Sequence, residues 1–155
     1  NSEIVIAFLM HYNVPFISYL LFIIRENMIK YFILASGGAI GTLLRYALSG
    51  LTNKAVEGIF PWGTLAVNLT GSLVIGLLWG YFEIENLSLS MRNFLFAGVL
   101  GGFTTFSTFA LESLNLFRDG EIKLAMFNIM ASNILGIILV LAGFLISQYV
   151  INVLK

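Results

Sequence analysis

The chain contains no cysteine, a single histidine (His11) and little charge: eight Lys and Arg against eight Asp and Glu, together 10% of 155 residues. Without cysteine there can be no disulfide and no thiolate metal site. The lone histidine has no nucleophile or second metal ligand in pattern with it, so an intramembrane enzyme is the weakest functional class. A formal charge of zero offers no basic surface to nucleic acid. A soluble domain carries about 25% charged and about 45–50% apolar residues. Here 59% are hydrophobic and the mean hydropathy is +0.95, the composition of a membrane protein.

A spanning helix needs roughly 20 mainly apolar residues. Four segments qualify: residues 31–51, 62–82, 93–117 and 124–151. The first carries only Arg45, the third only Glu112, and the other two no charge. The connections are short and hold most of the charges, which predicts an all-α membrane protein of four helices, up and down. Residues 1–27 stand apart. Their apolar run contains His11, Asn13 and Pro15, and its basic residues follow the run instead of preceding it, unlike a cleaved signal. Met28 is a candidate start, so we divide the chain into an N-terminal extension (1–27) and a four-helix domain (28–155).

Lys and Arg near helix ends set orientation. Lys30, Arg92 and Lys155 fall on one side of such a bundle, and Lys54, Arg118 and Lys123 on the other. That balance commits the chain to neither orientation. It is compatible with insertion both ways and pairing into an antiparallel dimer. Four helices with so little polar surface would struggle to enclose a pathway alone, which favours a homo-oligomer.

In lipid, helices associate through small residues that let backbones approach. Gly37 and Gly41, and Gly98 and Gly102, form small-xxx-small pairs. Gly71 and Gly76, and Gly136 and Gly143, add two more packing stripes. Other groups are harder to assign to packing. Asn68 lies in the chargeless segment 62–82, where it serves either as interhelical glue or as a pore group. Asn128 and Ser132 are spaced i, i+4 and make a one-sided polar stripe toward Gly136, suited to packing or to a partly dehydrated anion. Asn133 points about 100° away, toward a neighbouring helix. Arg45, near a helix end, either snorkels to the interface or sits in a vestibule that attracts anions. Glu112 is similarly near water.

The remaining feature is GGFTTFSTF, residues 101–109. Glycine costs about 1 kcal/mol in a helix interior and β-branched threonine is also unfavourable. The segment therefore predicts a break near the middle of the third helix, at residues 101–104, with carbonyls freed for a cation. Phe106 and Phe109, at i, i+3, project to one face. Their positive ring edges could stabilise an anion beside the hydroxyls of Ser107 and Thr108.

The segments GGAIGTLLRY (37–46), PWGTLAVNLTGS (61–72) and GVLGGFTTFSTFALE (98–112), in this order and spacing, resemble the Fluc (CrcB) family of fluoride channels. The likeness covers nearly all of residues 28–155. It implies a multi-pass protein of the cell membrane with four helices, inserted in both orientations and paired as an antiparallel homodimer with two fluoride pores. It further implies a structural sodium ion at the dimer centre, held by backbone carbonyls of Gly101 and Thr104. By the same carry-over Phe106, Phe109 and Asn68 line the pore, Ser107, Thr108 and Ser132 belong to its polar lining, and Arg45 is the vestibule cation. Asn128 stands where some members have Tyr and Gly136 where some have Ser.

The resulting expectation is a passive fluoride channel that lowers cytoplasmic fluoride. A small dual-topology, proton-coupled multidrug exporter shares the size and charge balance, but coupling needs a carboxylate deep in the bundle, and Glu112 lies near an end. A membrane scaffold would explain the glycines and leave Asn68 and GGFTTFSTF without a reason.

Overall fold

In the computed structural model, which describes residues 3–4, 16–83 and 88–154, all regular secondary structure is helical. Helix α1 spans Phe16–Ala55 and α2 spans Trp62–Phe82. Helix α3 (Leu89–Arg92) leads into a π-helical stretch, Asn93–Leu100, and then the short α4, Gly101–Phe103. Helix α5 covers Phe106–Arg118 and α6 covers Ile122–Leu154. Among the described residues, four helical segments are long and apolar enough to cross a membrane: Ile23–Ala55, Trp62–Phe82, Leu89–Arg118 and Ile122–Leu154. Helix α1 runs without interruption through Met28, so the described part of the extension (16–27) continues the first helix. The rest of that segment, apart from residues 3–4, lies outside the described residues.

Local signals explain the boundaries. The Ser88 hydroxyl accepts from the Met91 N–H at 3.3 Å and starts α3. At the end of α5, Gly120 takes a left-handed φ of 81°. Its N–H bonds to the Phe117 carbonyl and that of Glu121 to the Leu116 carbonyl. This Schellman closure reverses the chain into α6, and its φ is one that glycine adopts without a Cβ penalty.

The most extensive packing is α2 against α6, and α1 lies on the π-helical stretch and α4. The glycine stripes carry both contacts. A Cβ on Gly37 would lie 2.8 Å from the Phe94 carbonyl oxygen, and one on Gly102 would lie 2.6 Å from that of Gly38. Gly76 faces the Val140 carbonyl, and Gly143 faces that of Leu73, in the same way. Such close backbone approach replaces the hydrophobic force that lipid removes. A small aliphatic and aromatic cluster, with Phe60, Leu65, Leu116 and Ala125 at its centre, closes one end of the bundle. Most other large apolar side chains face outward, among them Phe32, Leu43, Ile137 and Val153. At the opposite end Trp79 donates its indole N–H to Glu83 at 3.1 Å and lies under the Arg92 guanidinium, an amphipathic pairing suited to headgroup depth.

A candidate ion pathway

The helical ladder stops at Thr104. Its N–H still bonds to the Leu100 carbonyl at 3.0 Å, but Thr104 (φ −81°, ψ 157°) and Thr105 (φ −148°, ψ 113°) are extended. β-branched threonine suits that backbone region. The sequence places the break at residues 101–104; Gly101 is instead α-helical (φ −64°, ψ −36°), and the extended pair lies further along. Glycine permits a break without requiring one, and the partner of the next amide decides where it falls.

That partner is Asn68 of α2. Its Oδ1 accepts the Thr105 N–H at 2.9 Å, and its Nδ2 donates to the Thr105 carbonyl at 3.0 Å. One carboxamide thus satisfies both backbone groups of an extended residue, each of which would otherwise cost several kcal/mol in hydrocarbon. Thr105 in turn caps α5, its Oγ1 accepting from the Thr108 N–H at 3.3 Å and donating to Thr108 Oγ1 at 2.9 Å. Because the Thr105 N–H points to Asn68, the Gly101 carbonyl has lost its usual i+4 donor. Among the described residues, the Thr104 carbonyl accepts only a long contact from Arg45 Nη1, 3.5 Å. Gly71 makes room for the break, since a Cβ there would collide with the Thr104 methyl.

Beside the break lies a cavity of about 450 Å³, lined by Asn68, Ser72, Gly101, Thr104, Thr105, Phe106, Phe109, Ser132 and Asn133 among others. None of the described residues lining it is charged. Phe106 is 76% exposed and Phe109 only 7%; their ring centroids are 5.5 Å apart at 53°. Ser132 Oγ is buried without a hydrogen-bond partner among the described residues. A second cavity, about 410 Å³, shares these rings and is lined by Phe106, Phe109, Ser113, Phe117 and Asn133 among others. A third cleft at the bundle end holds Asn53, Glu112, Asn115 and Asp119. Glu112 Oε1 there accepts from the Thr64 hydroxyl at 2.8 Å.

The sequence-derived residues therefore divide. Asn68, Gly101, Thr104, Phe106, Phe109 and Ser132 meet around one cavity. Ser107 and Thr108 do not line it, and Thr108 is engaged in the cap of α5. Asn128 departs most from the expected stripe. It is 1% exposed and donates to Ser113 Oγ at 3.0 Å, which donates to the Phe109 carbonyl at 2.8 Å. Asn128 therefore turns into the bundle toward α5, and Asn133 lines the cavity beside Ser132 instead. Ser72 also lines the cavity, one turn beyond Asn68, a spacing visible in the sequence but unused. Arg45 reaches inward to the break instead of extending only toward the interface.

The sequence model of the family described as "CrcB-like protein, Camphor Resistance (CrcB)" matches residues 32–144, most of the chain and every residue of the cavity just described. The chain belongs to the CrcB family. Among curated CrcB relatives, a protein of Parabacteroides distasonis named "Fluoride-specific ion channel FluC" is 47% identical over 128 residues, 83% of this chain and 100% of that protein. Proteins of the same name from Agrobacterium fabrum (47% identical; 75% of this chain, 94% of that one) and Salinibacter ruber (44%; 75% and 87%) are similar. The exposed apolar helices and CrcB membership together make this a multi-pass protein of the cell membrane.

Proposed function

We propose that the chain is a passive fluoride channel, not an enzyme, and that it lets fluoride leave the cytoplasm and so lowers its toxicity. The observation that carries this reading is a cavity with no charged residue in its described lining, where Ser132, its buried hydroxyl without a partner among the described residues, is joined by Phe106 and Phe109. Fluoride is small and strongly hydrated, and its passage requires weak donors in sequence to replace water. Hydroxyls, carboxamides and ring edges do so without a fixed cation that would hold the ion too tightly. Arg45, 3.5 Å from the Thr104 carbonyl, adds positive potential beside the path. The names of the relatives support fluoride as the ion.

The functional unit in this reading is an antiparallel, dual-topology homodimer in contact with membrane lipid. The exposed Ser107 and Thr108 beside the break would otherwise face hydrocarbon, and the balanced Lys and Arg favour neither insertion. The carbonyls of Gly101 and Thr104 would hold a structural sodium ion, not transported, between the two copies. The donor set fits: Gly101 has no helical donor, and a carbonyl has two lone pairs, so the long Arg45 contact leaves Thr104 able to coordinate. Bound there, such an ion would supply a fixed positive charge beside the broken helix. The exporter alternative finds no support, because Glu112 is engaged with Thr64 at the bundle end.

The test is efflux from liposomes reconstituted with the full chain. Fluoride should leave well above empty vesicles and chloride should not. No efflux, or equal flux of both halides, would overturn the reading.

A further inference from the structure

Among the described residues, three line both the first and the second cavity: Phe106, Phe109 and Asn133. Two are apolar, so Asn133 is the polar side chain common to both spaces. Ser113, which also lines the second cavity, has its hydroxyl committed, accepting from Asn128 and donating to the Phe109 carbonyl. Asn133 is held in place by one intrahelical bond, from Nδ2 to the Ile129 carbonyl at 2.7 Å. A carboxamide nitrogen carries two hydrogens, so one N–H remains to donate. The residue lies about 17 Å from the start of α6, well inside hydrocarbon depth, where an apolar side chain would cost nothing and an amide does.

We infer that Asn133 donates this second N–H to the permeating anion where the two cavities meet, making it a selectivity-determining residue of the pathway. An anion leaving the Ser132 hydroxyl must pass the edges of Phe106 and Phe109. Those edges are weak partners for a strongly hydrated ion. An amide donor beside them shortens the dehydrated stretch, and it favours the small anion because a short N–H contact is strongest to the most compact charge. The inference rests on the channel reading above and names a donor outside the set that the sequence motifs supply.

The experiment compares wild type, Asn133→Leu and Asn133→Gln in liposomes, recording fluoride and chloride efflux and, in detergent, dimer content. The expected result is that Asn133→Leu slows fluoride efflux at least roughly tenfold, as loss of one hydrogen bond to a charged group predicts. Chloride leak and dimer content should stay at wild-type values, and Asn133→Gln, which keeps the donor, should recover a substantial part of the fluoride rate. Wild-type fluoride efflux from Asn133→Leu would overturn the inference and leave the channel reading intact. Loss of the dimer in both variants would also overturn it, assigning Asn133 to assembly. A wild-type chain that fails to conduct would overturn the channel reading itself, and this inference with it.

Discussion

The Asn68 carboxamide and the backbone of Thr105 form a reciprocal pair, N–H to Oδ1 at 2.9 Å and Nδ2 to carbonyl at 3.0 Å, across 37 residues of sequence. The pair links the chargeless second span to the interruption of the third. It replaces the two backbone partners that an extended residue loses in lipid. Asn68 is thus a clamp on the break as well as a wall of the cavity.

Substituting Asn68 should therefore affect both architecture and conduction. Asn68→Asp exchanges the Nδ2 donor for an acceptor that opposes the Thr105 carbonyl. It should destabilise the fold by about 1–3 kcal/mol, the range for stranding a buried hydrogen-bonding group. Thermal unfolding in detergent, together with amide exchange at Thr105, reads this effect. Fluoride efflux should fall in parallel. Unchanged exchange at Thr105 would show that the amide pair does not hold the break.

The two phenylalanines should separate stability from flux. Phe106 is mostly exposed, so Phe106→Ile should leave the unfolding temperature near wild type and lower fluoride efflux. Phe109 is buried. Phe109→Ala should cost about 3–5 kcal/mol, the usual range for emptying a core aromatic site, and lower both measurements. Equal thermal shifts in the two variants would contradict the placement of the rings.

Asn128 should behave as a structural residue. Asn128→Leu removes the donor to Ser113 Oγ and should destabilise the protein by about 1–2 kcal/mol, with fluoride-over-chloride selectivity preserved. A loss of selectivity without a thermal shift would return Asn128 to the ion path.

Sodium dependence is checked without activity. If the Gly101 and Thr104 carbonyls hold a structural sodium ion, replacing sodium by a bulky organic cation should lower the unfolding temperature of the dimer. By mass action the stabilisation is about 2.7 kcal/mol when sodium is at 100 times its dissociation constant. An unfolding temperature indifferent to the cation would remove sodium from the proposal.

Several of these relationships were partly legible in the residues. Hydropathy located Trp62–Phe82 at its observed bounds, and the glycine spacings anticipated which faces of α1, α2 and α6 would touch a neighbour. The first helix is longer than its most apolar core, because helical backbone bonding continues past the point where hydropathy falls. GGFTTFSTF signalled an interruption by its poor helix formers, yet not its register.

What the sequence by itself determined is the set of spans and the presence of a weak point in the third. Each span must satisfy its own backbone in lipid, so long apolar runs have few alternatives to helix. What only the tertiary structure decided is which polar groups face one another. The break falls at Thr104 and Thr105 because the Thr105 amide finds its partner in a different helix. Asn128 is buried because α6 packs it against Ser113 of α5, and Asn133, on another face of α6, lines the cavity. A one-residue step turns a helix face by about 100°, and packing against neighbours, not local composition, sets that angle.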